Sequence, residues 1–230
     1  MKLKLSSLII VSIILIITIS TSYSLDNNYK NFKKIELDVY RDGKIIGFSN
    51  YEFLSKSNEL LVKNITEFKV KILGAEIFSV LSQSEELYKN GKLIHFKSNT
   101  IQNKKKKYVR LKYLGGSDEF LIDGSSYKGK AEKHNVIGSW WNPDILDAKS
   151  QISPLSGSIK KQKVLFIGKE LIKIEDKEYN TEHYKLLSDE SISEDRKLDF
   201  DIWYSRDKNI IIKISYQKFG NWEYRLKNIK

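Results

Sequence analysis

Cysteine is absent from the 230-residue sequence, and proline and methionine are scarce, with two and one residues. Without cysteine the chain has no disulfide, no thiolate-built zinc site and no thiol nucleophile. A lipid anchor on an N-terminal cysteine, as in bacterial lipoproteins, is excluded for the same reason. An exported form of the chain must therefore be held together by its apolar core alone.

Acidic residues are too few to balance the basic ones, with 29 Asp and Glu against 40 Lys and Arg. Removing residues 1–24 takes away Lys2 and Lys4 and leaves 38 basic and 29 acidic residues, a net charge of +9. That charge favours an anionic partner such as a phospholipid surface or a lipid headgroup.

The first 24 residues have the three parts of a signal peptide: the basic start, an apolar stretch over 8–19, and Ser22-Tyr23-Ser24. A spanning helix needs about 20 apolar residues, more than this stretch provides. We expect cleavage after residue 24, which leaves 25–230 as a single β-rich domain. The expected location is the periplasm of a Gram-negative bacterium, where the chain is soluble and nucleic acid is not a partner.

From Lys33 onward the dominant pattern is alternation of apolar and polar residues, which predicts strands. Turn sequences such as Asp42-Gly43 and Asn90-Gly91 punctuate it and predict hairpins. The fold class expected is mainly β, a curved antiparallel sheet forming a half-barrel or a barrel-like sandwich. The predicted strands are Lys33–Tyr40, Lys44–Phe53, Glu59–Ile72, Ile77–Tyr88, Lys92–Gln102, Tyr108–Leu114, Glu119–Ile122, Tyr127–Ala131, Lys161–Ile167, Glu170–Glu175, Glu182–Leu187, Leu198–Ser205, Ile210–Phe219 and Trp222–Leu226.

One segment breaks the alternation. Asn142 suits an N-cap, Pro143 the first helical position and Asp144 the positive end of the helix dipole. A short central helix is therefore predicted near residues 143–149.

Four motifs in order carry a resemblance to a known family: Asp42-Gly43-x-x-x-Gly47, Trp141-Asn142-Pro143, Leu155-x-Gly157 and Asp201-x-Trp203-Tyr204. Over about Ile35 to Leu226 the chain resembles an uncharacterised family of exported bacterial proteins, a domain of unknown function. It is also similar, at the level of fold, to lipoprotein-localisation and lipocalin-like proteins. That second likeness implies a curved sheet around an apolar hollow.

The chain is rich in aromatic residues, with 4 Trp, 13 Tyr and 10 Phe. Large side chains on a concave sheet hold apolar ligands in some barrels, and fill an ordinary core in others. Trp140 and Trp141, together with Trp203 and Tyr204, are the candidate ligand-binding residues. For Trp140 and Trp141 a packing role at the helix entry is the alternative.

Lys104, Lys105, Lys106 and Lys107 form the densest run of charge, and the loop 103–107 is predicted to carry it. These lysines are candidates for contact with an anionic membrane surface. Protection of a sheet edge is the alternative.

No catalytic, metal or cofactor motif rises above background, and His95, His134 and His183 are 39 and 49 residues apart. We therefore expect a protein that is not an enzyme and has no cofactor. The expected function is binding or shuttling of an apolar or amphiphilic, lipid-like ligand. The alternatives are an assembly or scaffold factor that acts through an open sheet edge, and an envelope hydrolase with one histidine near a Ser or Asp.

Overall fold

The computed structural model describes residues 29, 32–188 and 197–230. The predicted signal peptide, residues 1–24, lies outside this part of the chain. Within it, no helix has the length and apolarity that crossing a membrane requires.

The described residues form one sheet of 15 strands, which confirms the mainly β prediction. Its strand order is β8-β7-β6-β5-β4-β3-β2-β1-β15-β14-β13-β12-β11-β10-β9, and only the β9–β10 pair is parallel. The strands are β1 Lys34–Arg41, β2 Lys44–Lys56, β3 Glu59–Ile72, β4 Ala75–Lys89, β5 Lys92–Gln102, β6 Lys105–Leu114, β7 Glu119–Gly124, β8 Lys128–Glu132, β9 Val136–Ile137, β10 Ser150–Ile152, β11 Ile159–Ile174, β12 Lys177–Ser188, β13 Asp199–Ser205, β14 Ile210–Gln217 and β15 Asn221–Ile229.

The connection between β8 and β9 shows that the sheet is curled. These strands stand at opposite ends of the strand order, yet only residues 133–135 join them. A flat sheet of this size would separate its ends by about 67 Å at the usual strand spacing. Three linking residues span at most about 14 Å. The sheet therefore bends round until its two ends lie close together, as in a barrel.

Two-residue turns give the hairpins their register. Asp42 and Gly43 have φ of 50° and 77°, and Asn90 and Gly91 have 50° and 74°. These left-handed values match the turn type that twists with the strands and that Asn-Gly and Asp-Gly favour. Both predicted hairpins are confirmed.

Three predicted boundaries need correction. The helix predicted near 143–149 is a single 3-10 turn, Pro143–Leu146, capped by the Asn142 side chain as expected. The predicted loop 103–107 is a tight turn at Asn103 and Lys104, both left-handed, and β6 starts at Lys105. Gly168 does not divide two strands, because β11 continues through a bulge there.

The interior is filled by the sheet's own side chains and by residues 138–149, here called the strap. Trp141, Ile145 and Leu146 of the strap are buried in the main core, which is lined by β1–β4 and β11–β15. A second cluster joins β5–β8 to Ile137 and Ile152. The strap therefore crosses the inside of the curled sheet.

Candidate functional site

Trp141 lies at the centre of the main core, with 1% of its surface exposed. Its ring packs edge-on against those of Tyr29, Phe53 and Tyr88, at centroid distances of 5.0, 5.5 and 5.6 Å. Its Nε1 donates to Glu86 Oε1 at 3.0 Å. A residue so enclosed positions the strap and offers no free surface to a ligand.

Among the residues that the structure describes, Glu86 is the most deeply buried acidic side chain, with 1% exposure. Ser139 Oγ donates to its Oε1 at 2.9 Å, and Tyr88 Oη donates to its Oε2 at 2.7 Å. Burial raises the pKa of Glu86, and the three hydrogen bonds from Tyr88, Trp141 and Ser139 oppose that rise. The carboxyl group therefore ties β4 to the strap.

Trp140 differs from its neighbour, because its ring is only partly buried. It contacts Phe200 at 5.1 Å, and ring contacts then continue across the inner face of the sheet. We call this set the aromatic row. It runs Trp140, Phe200, Tyr216, Trp222, Phe68, Phe78, with the remaining centroid distances 5.1, 5.7, 5.6 and 5.9 Å. Four of its six members are partly exposed: Trp140, Phe200, Tyr216 and Phe78.

A row of small hydroxyl side chains lies beside the aromatic row. Ser49, Thr66, Ser82 and Thr100 are paired directly across β2, β3, β4 and β5. Ser49 and Thr66 oxygens are 2.7 Å apart, and Ser82 and Thr100 oxygens are 2.8 Å apart. Because Thr66 and Phe68 are two residues apart on β3, they share its inner face.

The hydroxyl row ends at a lysine. Lys107 is paired directly with Thr100, so its side chain leaves β6 on the same face. Its Nζ donates to Gln102 Oε1 at 2.6 Å. Of the predicted run, Lys104, Lys105 and Lys106 are exposed. The run therefore places one ammonium group beside Gln102, on the face that carries the hydroxyl row, and keeps the other three in solvent.

Trp203 stands on the outer face, away from Trp140 and Trp141. It stacks on His183 with centroids 4.5 Å apart, and its Nε1 donates to Glu170 Oε2 at 2.9 Å. Lys213 Nζ lies over the Trp203 ring, 4.7 Å from its centroid. The Trp203 hydrogen bond is the main cause of the lowered pKa of Glu170.

His183 joins two carboxylates on that outer face. Its Nδ1 is 2.8 Å from Glu170 Oε1 and its Nε2 is 2.9 Å from Asp201 Oδ1. Burial alone would raise the pKa of Asp201, but bonds from Lys185 and His183 lower it overall. With both ring nitrogens so engaged, His183 has none left to activate a serine.

Tyr204 is buried and donates to Asn209 Oδ1. The four predicted aromatic residues thus occupy three surroundings: Trp141 and Tyr204 in the core, Trp140 in the partly exposed aromatic row, and Trp203 on the outer face. Sequence reasoning missed Phe78, Phe200 and Tyr216. Their alternation with buried neighbours, as in Phe78-x-Val80, was the available signal.

Open grooves occur on the surface, of about 370, 550 and 670 Å³. The largest is lined by polar and charged side chains that include Lys63, Glu85 and Arg110. None of these three grooves is lined by Trp140 or Trp141. The groove of about 550 Å³ does reach the aromatic row, because Tyr216 and Trp222 are among its lining residues.

These features define a barrel-like, mainly β protein with a strap-filled interior and an aromatic and hydroxyl-bearing inner face. The chain belongs to the family described as Domain of unknown function (DUF6134), which matches residues 37–227. The predicted membership of an uncharacterised family is thereby confirmed. No sequence among curated proteins matches the chain.

A solved structure is similar to this chain: the beta-barrel-like protein of domain of unknown function DUF1849 from Brucella abortus. The TM-score is 0.61 at 10% sequence identity, covering 86% of this chain and 96% of that one. At this identity the likeness shows the fold alone, and the fold is barrel-like.

Proposed function

We propose that this chain is a non-catalytic protein, exported to the periplasm, that binds an amphiphilic, lipid-like ligand on its inner face. The observation that carries the proposal is the aromatic row lying beside the hydroxyl row with Lys107 at its end. Aromatic side chains offer large apolar areas at small entropic cost. Hydroxyl and ammonium groups suit the polar end of the same molecule.

The pairing of groups suggests how such a ligand would lie. Its apolar chain would cover the partly exposed rings of Trp140, Phe200 and Tyr216. Its polar end would meet Thr66, the partly exposed member of the hydroxyl row, while Ser49, Ser82 and Thr100 stay buried. An anionic headgroup would gain a charge-assisted bond to Lys107, which the net positive charge of the chain supports.

Titration of the chain lacking residues 1–24 with cis-parinaric acid, followed by the probe's fluorescence, tests the proposal. We expect Trp140→Ala to weaken binding about tenfold, since about 1.4 kcal/mol of contact is lost. Trp203→Ala is the matched control, because its ring lies on the outer face, and it should leave binding unchanged. Binding that is absent, or that Trp203→Ala weakens as much as Trp140→Ala, contradicts the proposal.

A second candidate function is an assembly or scaffold factor that holds an extended polypeptide at a sheet edge. One observation favours it: within the described residues, β11 beyond Gln162 has a strand partner on one side only. The chemistry of a partner for that edge is inferred below. A hydrolase has weaker support, because His183 binds carboxylates through both nitrogens.

A further inference from the structure

The open edge of β11 carries exposed apolar side chains. Strand β10 covers β11 only at residues 159–161, and the backbone N–H of Gln162 makes the last contact there, to Lys149 O at 2.9 Å. Beyond it, Leu165, Phe166, Ile167 and Leu171 are 46, 56, 55 and 62% exposed. Such an edge normally pairs with another strand or is kept short.

The backbone of this edge is available for pairing. In an antiparallel strand the N–H and C=O of alternate residues point to the same side. Because Gln162 N–H points toward the β10 side, the polar groups of Val164 and Phe166 also point that way. Within the described residues no strand meets them, so they are free to bind an added one.

The charge along β11 indicates which strand would bind. Lys161, Lys163, Lys169 and Lys173 are all exposed. Within the described part of the chain none of them makes an ion pair of 4.0 Å or less. The one acidic side chain of β11, Glu170, is already bound by His183 and Trp203.

A second copy of the chain fits this edge poorly. Two β11 strands paired with each other would bring lysines opposite lysines, and like charges directly opposite are destabilising. A partner strand with carboxylates beside apolar residues would meet both the lysines and the exposed apolar side chains. The bulge between Phe166 and Gly168 limits the flat part of the edge to the stretch before it.

We infer that the β11 edge, centred on Val164 and Phe166, binds an extended, acidic and apolar segment of another polypeptide by strand addition. This inference rests on the second proposed function and is independent of the inner-face ligand. The added strand gains backbone hydrogen bonds from the edge, and the lysines select for carboxylates.

The test uses the chain lacking residues 1–24 and fluorescein-labelled ten-residue peptides, followed by fluorescence anisotropy. A peptide alternating Glu and Val should bind, whereas a Lys and Val peptide should not. N-methylation of alternate amides of the Glu and Val peptide should abolish binding, because the backbone ladder is blocked. Equal binding of the Glu and Lys peptides, or absence of binding by both, would overturn the inference.

Variants locate the site. Val164→Pro removes an N–H that faces the open edge and leaves the bonds to β12 intact, so it should weaken peptide binding about tenfold. The swap K161E, K163E and K169E should weaken it at least as much. The matched control K104E, K105E and K106E makes the same change of charge at the β5–β6 turn and the start of β6, and should have little effect. Equal weakening by the control swap would show non-specific attraction and overturn the inference.

Sedimentation velocity of the unliganded chain tests whether a second copy of the chain binds the β11 edge. We expect a monomer, and a dimer that Val164→Pro dissociates would assign the edge to a second copy and refute an acidic partner. Parinaric acid binding should be unchanged in Val164→Pro and in both swaps. Failure of the inner-face proposal and failure of this one therefore give different results.

Discussion

The buried Glu86 carboxyl allows a sharp prediction about stability. Glu86→Ala would remove the acceptor for Tyr88 Oη, Ser139 Oγ and Trp141 Nε1 at once. Each buried donor left without a partner costs about 1–3 kcal/mol. Removal of the buried carboxyl also removes its own desolvation penalty, which offsets part of that cost. We therefore expect the free energy of unfolding to fall by about 3 kcal/mol. A change of that size lowers Tm by about 6–12 °C in a chain of this length.

Glu86→Gln separates the hydrogen bonds from the charge. The Gln amide oxygen can still accept from Ser139 and Trp141, so we expect a loss of only about 1 kcal/mol near pH 4. Burial raises the pKa of Glu86 above its ordinary value of 4.5, so the folded chain holds this proton to higher pH than the unfolded chain. The stability linked to that proton is fully present below pH 4.5 and is lost as pH rises through the raised pKa.

Thermal unfolding from pH 4 to pH 8, followed by circular dichroism, is the measurement. The difference in Tm between Glu86→Gln and the natural chain should shift in favour of the Gln variant as pH rises. Glu85→Ala is the control, since Glu85 lies on the other face of β4 in a half-exposed ion pair with Lys97. It should cost less than about 1 kcal/mol. If Glu86→Ala is no more harmful than Glu85→Ala, the assignment of Glu86 as the tie between β4 and the strap is wrong.

Three further predictions concern single contacts. Gly47→Ala should lower Tm by at least about 5 °C, because its Cβ would lie 2.0 Å from the carbonyl oxygen of Glu67; an unchanged Tm would show that β2 and β3 separate easily. Asn142→Ala should cost about 1 kcal/mol through loss of the cap to Asp144 N, and denaturant unfolding with no change in midpoint would contradict that role. Trp203→Phe should raise the pKa of Glu170 toward its ordinary value, measured by carboxyl NMR titration, and an unmoved pKa would exclude the Trp203 hydrogen bond as the cause.

Much of the sheet follows from local sequence. Asp42-Gly43 and Asn90-Gly91 predict their hairpins because these dipeptides favour the left-handed conformation that a two-residue turn requires. Asn103-Lys104 forms a similar turn without glycine, and the run of lysines after it predicts a loop. Strand β6 includes Lys105 because pairing with Gln102 outweighs the weak strand preference of lysine.

The inner face was harder to predict, because its contacts join distant residues. Glu86 accepts hydrogen bonds from Ser139 and Trp141, which are 53 and 55 residues away. No residue near Glu86 in the sequence predicts those donors. Its place in the alternation Ser82, Ser84, Glu86, Tyr88 does predict an inward direction. Strand β9 has only two residues, so it shows no alternation in the sequence. Its parallel pairing with β10 depends on the strap between them.

The placement of β1 between β2 and β15 ties folding to the completed chain. Ile35 of β1 is paired with Ile229 of β15, so the first strand of the sheet has no second neighbour until the last one is available. Contacts of such long sequence separation slow folding, because the intervening chain must be ordered first. A chain emerging N-terminus first, from a ribosome or a membrane pore, would expose the edge of β1 until its final residues were released. Deletion of β15 would therefore leave that edge permanently open and make the chain prone to association.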